Sequence, residues 1–567
     1  MADSLYPPSL DLTGGKPSAD ELKLLRKLDD LYDEGKRKRD AWAPPKDIER
    51  DLKLFRGEVG PKSGEAHFTA NFIETFIERM VSRLTDTRPI LRTENRKAGL
   101  RNVALVAKRV IQAIWDETDM QRNTYKMAHN AATTRSAGLY TGYDPVTDTI
   151  ELEVLRLSQV VFDPRVIEAA RVDRDSNYLF VDRVRPLDEL RRRFPGRGGL
   201  VKPDADLSDI IPSTKTTLLS AAKELFSGKQ SEKTALPCAR VRECYVKDWQ
   251  TGGDAQLFPF GRRVIRTKDV ALWDGPNHWW DGLWPVDWFD WRVDPEHVWG
   301  MSEPSRLMRL QLSFNQLMDG LVENQLLTNF LLVMADWDSF DPATWKKLQS
   351  ISSSLVLQKR TRTASQLQIQ PPASFGLDKI ALVRQIFTYA QFLTGETDIT
   401  FGETGSLQSG QAVEGLMEPT GLLTRARASR LEDFFGRVGQ KLLARIFQFW
   451  PGERVISLVG PTGPAIEYVV KRADFYVDDA GKMVDEKERQ RVFRDIHFMV
   501  QPGSSAPGSR IKRGQHMRDL VLLGAATRQD VLEASDFPEP EAMVERAKKE
   551  FLELGPILKT LGGRDGR

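Results

Sequence analysis

The segment GSLQSGQA at residues 405–412 comes nearest to a catalytic motif in this chain. Gly405 and Gly410 have the spacing of a phosphate-binding P-loop. That loop needs a lysine after its second glycine, but Gln411 stands there instead. The preceding residues, FLTGETDITF, also lack the pattern of a buried strand. The glycine spacing therefore does not predict a nucleotide site, and residues 395–410 are interpreted as a loop.

The other residue types that support catalysis are few and scattered. None of the six histidines falls in an HExxH motif or another metal-ligand spacing. There is no GxSxG motif and no plausible Cys–His pair, and the two cysteines are interpreted as reduced thiols. We therefore expect no enzymatic activity, no cofactor and no metal site. The residues concerned are His67, His129, His278, His297, His497, His516, Cys238 and Cys244, of which His297 in DPEHVWG is expected to be structural.

The composition indicates an ordered, globular chain of two to four packing units. It has 567 residues, of which 40% are apolar and 29% charged. Lysine and arginine number 82 against 80 aspartates and glutamates, so the formal net charge is +2. A general duplex-binding protein usually carries a larger positive excess, so any DNA contact is expected to be local or weak. The N-terminus lacks a signal-peptide pattern and no apolar run reaches the ~20 residues that span a bilayer, so no membrane partner is expected.

Tryptophans are concentrated in residues 273–299, which hold seven of the thirteen in the chain. Interleaved aromatic residues can stack on single-stranded bases, but that use needs lysine and arginine beside them. Here the neighbours are acidic, among them Asp287, Asp290 and Asp294. We interpret the segment as a rigid aromatic wedge that packs helices onto a β-layer. Its aspartates are expected to be solvated strand ends.

Hydrophobic periodicity predicts an α+β fold. A spacing of three and four predicts helices, a spacing of two predicts strands, and Pro419 should kink the helix that contains it. Strand character is expected at 160–163, 178–184, 240–249, 354–358, 366–370, 455–458 and 465–475. Helices are expected at 71–84, 100–135, 187–194, 303–334, 378–394 and 411–450, a β-hairpin at 138–157, and a mostly helical tail from about 486.

The two long helices around residues 335–377 have more apolar length than their sequence neighbours can cover. Such helices normally pack against other subunits. A closed ring satisfies every subunit equally, so the pattern favours a ring-forming protein.

This order of elements, together with several local sequences, resembles the portal proteins of tailed bacteriophages, of the podophage type. The similar segments are RVDPEHVWGMSEPSRLMRLQLSFNQLMDGLVEN (292–324), GETGSLQSGQAVEGLMEP (402–419), the wing-like FDPRVIEAARVDRDSNYLFVDRVRPLDELRRRFP (162–195) and the C-terminal QPGSSAPGSRIKRGQHMRDLVLLGAATRQDVLEASDFPEPEAMVERAKKE (501–550). The resemblance covers most of residues 60–550.

The resemblance implies a division of the chain into the parts of a portal subunit. It also implies a ring, by family a dodecamer, at one vertex of the capsid in the virion. The parts are an N-terminal arm and wing (1–302), stem helix 1 (303–334), clip (335–377), stem helix 2 (378–394), tunnel loop (395–410), long kinked helix (411–450), wing strands (451–480) and helical crown with C-terminal tail (481–567).

The implied partners are double-stranded DNA that passes through the channel without sequence specificity, the large terminase subunit, the head-tail adaptor, and capsid and scaffolding proteins. A conduit must not bind DNA tightly, since each phosphate that is neutralised adds affinity. The tunnel loop carries Glu396, Asp398 and Glu403 and no lysine or arginine, so it should repel phosphate. The clip has the opposite charge, with Lys346, Lys347, Lys359, Arg360 and Arg362.

Two questions remain open at this level. The basic clip residues fit a surface that binds a partner or DNA, but they fit an ordinary solvated hairpin as well. The whole chain fits a portal subunit best. Another connector or minor head protein of the virion is the alternative, and an enzyme on an unfamiliar scaffold is the third possibility.

Overall fold

The computed structural model describes most of the chain and divides it into two compact units. The larger unit, here called the body, consists of Met1–Ile48, Met80–Ser302 and Thr424–Arg567; the smaller one, here called the insert unit, consists of Glu49–Arg79 and Glu303–Leu423. Their mixed helix and strand content agrees with the predicted α+β class. The described residues are 10–58, 70–205, 237–328, 331–336, 343, 354–359, 368–370, 377–396, 422–458, 466–502, 519–524 and 527, apart from gaps at 11, 13–15, 249–250, 253–254, 257 and 490.

Helices occur in both units. They are α1 (Ala19–Trp42), α2 (Pro45–Phe55), α3 (Phe72–Thr85), α4 (Arg101–Glu117), α5 (Met120–Thr134), α6 (Val172–Asp175), α7 (Leu187–Arg193), α8 (Glu303–Thr328), α9 (Leu377–Thr394), α10 (Leu422–Phe449), α11 (Glu486–Arg489) and α12 (Val492–Asp495).

The strands up to residue 290 and after residue 450 belong to the body. They are β1 (Leu91–Asn95), β2 (Ser136–Asp144), β3 (Thr149–Arg156), β4 (Val160–Phe162), β5 (Tyr178–Pro186), β6 (Cys238–Val246), β7 (Thr251–Gly252), β8 (Ala255–Gln256), β9 (Arg262–Arg266), β10 (Ala271–Pro276), β11 (Val286–Asp290), β15 (Glu453–Leu458), β16 (Ile466–Lys471) and β17 (Ile496–Val500). The insert unit holds β12 (Leu331–Asp336), β13 (Ser354–Lys359) and β14 (Gln368–Gln370).

A five-stranded antiparallel sheet with the strand order β10-β9-β6-β5-β4 forms the centre of the body. Successive side chains in a strand point to opposite faces, so each central strand contributes side chains to two hydrophobic cores, one on each face of the sheet. Phe180 and Cys244 pack with α1 on one face. Leu179, Val181 and Tyr245 pack with buried tryptophans on the other. The sheet is therefore covered on both sides at these positions. Its strands also carry charged residues, which are paired with one another, as Arg183 is with Glu243 and Arg242 with Asp182.

The tryptophan segment fills the core between this sheet and a three-stranded sheet of order β11-β2-β3. Trp288 and Trp299 meet edge to face at 5.5 Å between ring centroids. Phe162 stacks on Trp299 at 4.2 Å. The aromatic residues pack in the core as predicted, but they lie between two sheets and not between helices and one β-layer.

The predicted β-hairpin is confirmed as β2 and β3, which pair in register from Ala137 with Arg156 to Asp144 with Thr149. Its turn places Asp148 at a φ of 54°, a left-handed conformation that aspartate tolerates better than most residues. The predicted strands at 160–163, 178–184 and 240–249 are confirmed as β4, β5 and β6.

The prediction of one helix over residues 100–135 is wrong, because two helices, α4 and α5, occupy that range. The break is local. The Thr118 hydroxyl donates to the carbonyl of Ile114 at 2.7 Å, and Asp119 adopts a φ of 49°. A left-handed residue cannot continue a right-handed helix. The sequence around Asp119 contains no glycine or proline that would have marked the break.

Two further expectations differ from the structure. The helix predicted to reach residue 334 ends at Thr328, and Leu331–Asp336 forms β12. The apolar run LLTNFLLVM fits either a helix or a buried strand. Leu331–Asp336 forms a strand because β12 pairs with β13 and β14. The tail predicted to be mostly helical contains β17, which pairs with the distant β1 from Leu91 with Val500 to Asn95 with Ile496. The GSLQSGQA loop and Pro419 lie outside the described residues.

Candidate functional site

The insert unit contains two long helices, α8 and α9, that pack against each other. The first residues of α3 help to hold them together. The ring of Phe72 meets Phe314 of α8 edge to face at 5.5 Å and Phe387 of α9 at 6.5 Å. The backbone N–H of Phe72 donates to the side-chain oxygen of Gln311 at 3.1 Å, and the Gln311 amide donates to the carbonyl of Ala70 at 2.8 Å. The predicted helix at 378–394 is confirmed by α9.

One face of α9 exposes an apolar stripe to solvent. Leu382, Tyr389 and Phe392 are 45%, 52% and 81% exposed. Their separations of seven and three residues place them on one side of a helix. Ile386 and Ala390 on α9 are buried instead. Ile386 is three or four residues from Leu382, Tyr389 and Ala390, so the buried and exposed residues form one broad apolar face, of which the chain covers only part.

A small sheet, here called the insert sheet, lies between α8 and α9 in the sequence. Its central strand β12 runs parallel to β13 and antiparallel to β14. Parallel neighbours cannot be joined by a tight turn, which agrees with the separation of β12 and β13 by residues 337–353 in the sequence. The Cα of Lys359, the last residue of β13, is in register with that of Asp336. The other predicted basic residues, Lys346, Lys347, Arg360 and Arg362, lie outside the described residues.

Glu396, one of the three predicted channel acids, follows the C-terminal end of α9. Gly395 adopts a φ of 76°, which glycine supplies without strain, and its N–H donates to the carbonyl of Gln391 at 2.9 Å. The N–H of Glu396 donates to the same carbonyl at 3.1 Å. The Glu396 residue is only 2% exposed. Asp398 and Glu403 lie outside the described residues.

The long helix α10 is fixed to the body by a buried lysine. Lys441 is 1% exposed, and its Nζ contacts Asp173 Oδ2 at 2.7 Å and Asp287 Oδ1 at 3.1 Å. It also donates to the carbonyl of Val286 at 3.1 Å. Burial lowers the pKa of Lys441, but the two carboxylates raise it more, so the pKa stays above its ordinary value. Burial raises the pKa of Asp173 to about 6, against the opposing effect of Lys441.

Other cations on the same side of α10 contact the tryptophan segment. Arg445 Nη1 donates to Asp281 Oδ2 at 2.7 Å, and its guanidinium lies 3.9 Å from the ring centroid of Trp279. Arg430 donates to the carbonyl of Trp291 at 3.2 Å. We call this row of residues the α10 ladder; it consists of Arg427, Arg430, Arg437, Lys441 and Arg445.

The aspartates of the tryptophan segment are buried, so the prediction that they are solvated strand ends is wrong. Asp287, Asp290 and Asp294 are 3%, 8% and 5% exposed. Asp287 contacts Lys441, and Asp294 accepts from the backbone N–H groups of Glu296 and His297. Burial raises the pKa of Asp290 to about 7. Asp287 looked solvated because its cationic partners, Arg437 and Lys441, lie about 150 residues away in the sequence.

His297 lies against the ring of Trp42 at 4.0 Å between centroids, in agreement with the expected structural role. Within the described ranges, no group of three or more histidine, cysteine or carboxylate side chains could hold a metal ion. Among the helices that the structure describes, none is long and apolar enough to cross a membrane.

An α+β body with an inserted pair of long helices around a small sheet is the element order that the sequence predicted for a phage portal subunit. Residues 334–556 match the family model of the phage P22-like portal protein. The resemblance to portal proteins is thereby confirmed over the part of the chain that carries α9, α10 and most of the insert sheet. A search of curated proteins finds no matching relative.

Proposed function

We propose that the chain is a portal subunit that forms a ring at one capsid vertex, through which DNA is packaged and ejected. The observation that carries the proposal is the exposed apolar stripe on α9, which lies inside the segment that matches the portal family. A soluble monomer gains nothing from an 81% exposed phenylalanine beside an exposed tyrosine and leucine. A neighbouring copy in a closed ring would cover this stripe in every subunit alike.

The proposed parts keep the predicted order with adjusted bounds. In this assignment α8 and α9 are the stem helices, the insert sheet belongs to the clip, and α10 is the long helix that follows the tunnel loop. Most of the body is the wing. The C-terminal tail from about residue 481 is the crown.

The proposed channel function rests on the charge of residues 395–410. This segment contains acids and no lysine or arginine, so DNA phosphate finds no cation to bind there. Because Glu396 is buried, the proposal rests on Asp398 and Glu403. Replacing both by lysine is expected to slow DNA packaging or ejection, and an unchanged rate would contradict the role of the loop.

The proposed docking surface is the basic part of the clip. Lys346, Lys347, Lys359, Arg360 and Arg362 would bind the large terminase subunit during packaging and the head-tail adaptor afterwards. The five cations of this segment would complement an acidic surface of a partner. The virion is the expected location of the assembled ring, with assembly in the host cytoplasm.

The contribution of the stripe to assembly can be estimated. Burying a phenylalanine or tyrosine side chain removes about 150–250 Å² from water. At 81% exposure, Phe392 leaves roughly 160 Å² to be covered, which corresponds to about 4 kcal/mol per interface at ~25 cal/mol per Å². Loss of about 4 kcal/mol would weaken each contact between subunits about a thousandfold.

The test is the assembly state of the purified full chain. Native mass spectrometry and negative-stain microscopy should show rings with a central hole, and Phe392→Asp should shift the population to free subunits. Val146→Asp is the matched control, since Val146 is 74% exposed at the β2–β3 turn of the body. If the wild-type chain is a monomer, or if Phe392→Asp assembles as the control does, the proposal is wrong.

A further inference from the structure

β3 is an edge strand, and its outer side has no partner among the described residues. Its residues, Thr149–Arg156, pair with β2, and β2 pairs on its other side with β11, so the sheet ends at β3. Alternate residues of an edge strand direct their backbone N–H and C=O groups away from the sheet. Within the part of the chain that the structure describes, the backbone of residues 149–155 bonds to no element other than β2. The proposed ring, which rests on α9, does not use this edge.

β3 lacks the features that usually protect an edge strand against pairing. Edge strands of soluble proteins tend to be short, or they carry lysine, proline or a β-bulge. β3 has the sequence TIELEVLR, without lysine or proline, and its eight pairs with β2 continue without a shift in register. An unpaired strand of this length is a template for strand addition, in which main-chain hydrogen bonds bind an extended segment and alternate side chains give specificity.

The side chains of β3 alternate between apolar and acidic. Ile150, Leu152 and Val154 are half-buried and lie on one face of the strand. Glu151 and Glu153 lie on the other face, with side chains that are 33% and 30% exposed. A strand added beside β3 would therefore place alternate residues next to an apolar row and next to two carboxylates.

The face with the glutamates has one acid more than it has arginines in contact with them. Glu151 has the weakest pairing, since its ion pair with Arg185 spans 3.9 Å. Burial raises the pKa of Glu151, and Glu153 raises it further, against the effect of the nearby arginines. A lysine or arginine of a partner would complement this face. The four arginines are Arg183, Arg185, Arg193 and Arg263, and the five acids are Asp144, Glu151, Glu153, Glu189 and Glu243.

An apolar recess of about 240 Å³ adjoins the start of β3. Ile150 lines it together with Ile114 and Trp450. The charged residues of its wall are paired with protein groups: Arg454 Nη2 donates to both oxygens of Glu117 at 3.2 Å and 3.1 Å, and Asp148 accepts from the hydroxyl of Tyr143. The recess therefore suits an apolar side chain, which gains by leaving water.

We propose that β3 binds an extended segment of another protein in which apolar and basic residues alternate. The apolar residues would lie along Ile150, Leu152 and Val154, and the basic residues along Glu151 and Glu153. A second copy of β3 is a poor occupant, because antiparallel pairing centred on Leu152 would place Glu151 opposite Glu153 of the other copy, and like charges opposite each other are destabilising.

Fluorescence anisotropy with the purified full chain tests the proposal. The probe is a labelled, end-capped octapeptide of alternating valine and lysine. We expect saturable binding of one peptide per chain that weakens as salt is raised. A peptide with four valines followed by four lysines has the same composition and charge, but it cannot place the two residue types on opposite faces, so it should bind about tenfold more weakly. The absence of saturable binding, or equal binding of both peptides, would overturn the proposal.

Amide hydrogen exchange locates the peptide. Binding of the alternating peptide should slow exchange in β3, because the outward N–H groups of the strand gain acceptors, while β2 should change little. Binding without slower exchange in β3 would refute the location. If β3 is already as protected as β2 before the peptide is added, another copy or another segment covers the edge, and the proposal is wrong.

Substitution of Glu151 tests the charge complementarity. Glu151→Lys leaves the contacts of Arg183 with Glu153 and Glu243 in place, and it should weaken binding of the alternating peptide about tenfold. Glu168→Lys is the matched control, since it makes the same charge change at a side chain that is 65% exposed and lies outside β3, and it should leave binding nearly unchanged. Circular dichroism checks the folding of both variants. Unchanged binding to folded Glu151→Lys, or an equal loss in Glu168→Lys, would contradict the inference.

Discussion

Lys441 is the residue at which the attachment of α10 to the body can be tested most directly. Lys441→Met keeps the length of the side chain and removes its charge. Asp173 and Asp287 then lose the cation that lies 2.7 Å and 3.1 Å from their oxygens. Breaking a buried ion pair by removing one partner typically costs about 3–5 kcal/mol, because the remaining charge stays buried.

The effect on thermal stability should be large and should depend on pH. The entropy of unfolding is about 2.1 cal/mol/K per residue, so in a unit of roughly 400 residues, the size of the body, 1 kcal/mol shifts the melting temperature by about 1 °C. A drop of about 3–6 °C is therefore expected. The pKa of Asp173 is already raised to about 6, and loss of Lys441 raises it further. Asp173 therefore binds a proton at a higher pH in the folded variant than in the unfolded chain. The stability of the variant rises as pH falls through the pKa of Asp173 in the folded state. The difference from the wild type should be smaller at pH 5 than at pH 8.

Thermal unfolding followed by tryptophan fluorescence at pH 5 and pH 8 is the measurement, because Trp288 lies beside this contact. Lys23→Met is the matched control. Lys23 makes the same kind of pair with Asp20 at 3.4 Å, but both side chains are more than half exposed, so its loss should change little. The reasoning is refuted if Lys441→Met melts like Lys23→Met, or if its deficit is the same at both pH values.

Three other substitutions test separate features. Asp290→Asn should raise the melting temperature more at pH 8 than at pH 5. The pKa of Asp290 is raised to about 7, so the wild-type protein loses stability as pH rises between about 4 and 7. An equal change at both pH values would count against a buried acid. Gly439→Ala should destabilise the body by about 1–3 kcal/mol in urea unfolding, because a Cβ there overlaps the ring of Phe498. Gly436→Ala is the control on the same helix. Its Cβ meets open space, so the change should be neutral or slightly stabilising. Asp119→Gly should stabilise by up to ~1 kcal/mol, because its φ of 49° suits glycine; a loss of stability in the same assay would contradict this.

Local pattern was sufficient wherever an element is specified by its own residues. The period of two over residues 138–157 predicts β2 and β3 because one face of the hairpin packs on the core. The stop after α7 follows from Pro195 and Gly196, which cannot extend a helix. The helix at 378–394 was predicted within one residue of its observed start.

Pairing between distant segments was beyond the reach of pattern. β17 and β1 are separated by about 400 residues, and neither has a partner close by in the sequence. β12 comes directly after α8 in an apolar run whose residues suit both structures, and its neighbours β13 and β14 decide the outcome. In both cases hydrogen bonding to a remote strand outweighs local preference.

The sequence predicted an uncovered apolar side on the long helices, but it did not predict which residues of the following loop are buried. The expectation that long helices leave an apolar side uncovered agrees with Leu382, Tyr389 and Phe392 on α9. Glu396 was predicted as a channel acid from its place in the loop, yet the turn at Gly395 buries it. Burial of a single residue just after a helix depends on what packs over the turn, and the sequence does not specify this.

The charge of the chain shows most clearly why composition is a weak guide to DNA contact. Several cations that contribute to the net charge of +2 are inside the body: Arg262 is fully buried between Asp274 and Asp248, and Arg445 and Lys441 are buried against their own aspartates. Each such pair cancels internally and offers no field to a phosphate. The charge that DNA would meet is therefore set by short exposed segments and not by the sum over all residues. In this chain Asp398 and Glu403 and the basic residues at 346–362 have opposite signs. The proposed channel that repels DNA and the proposed rim that binds a partner are therefore compatible with a nearly neutral protein.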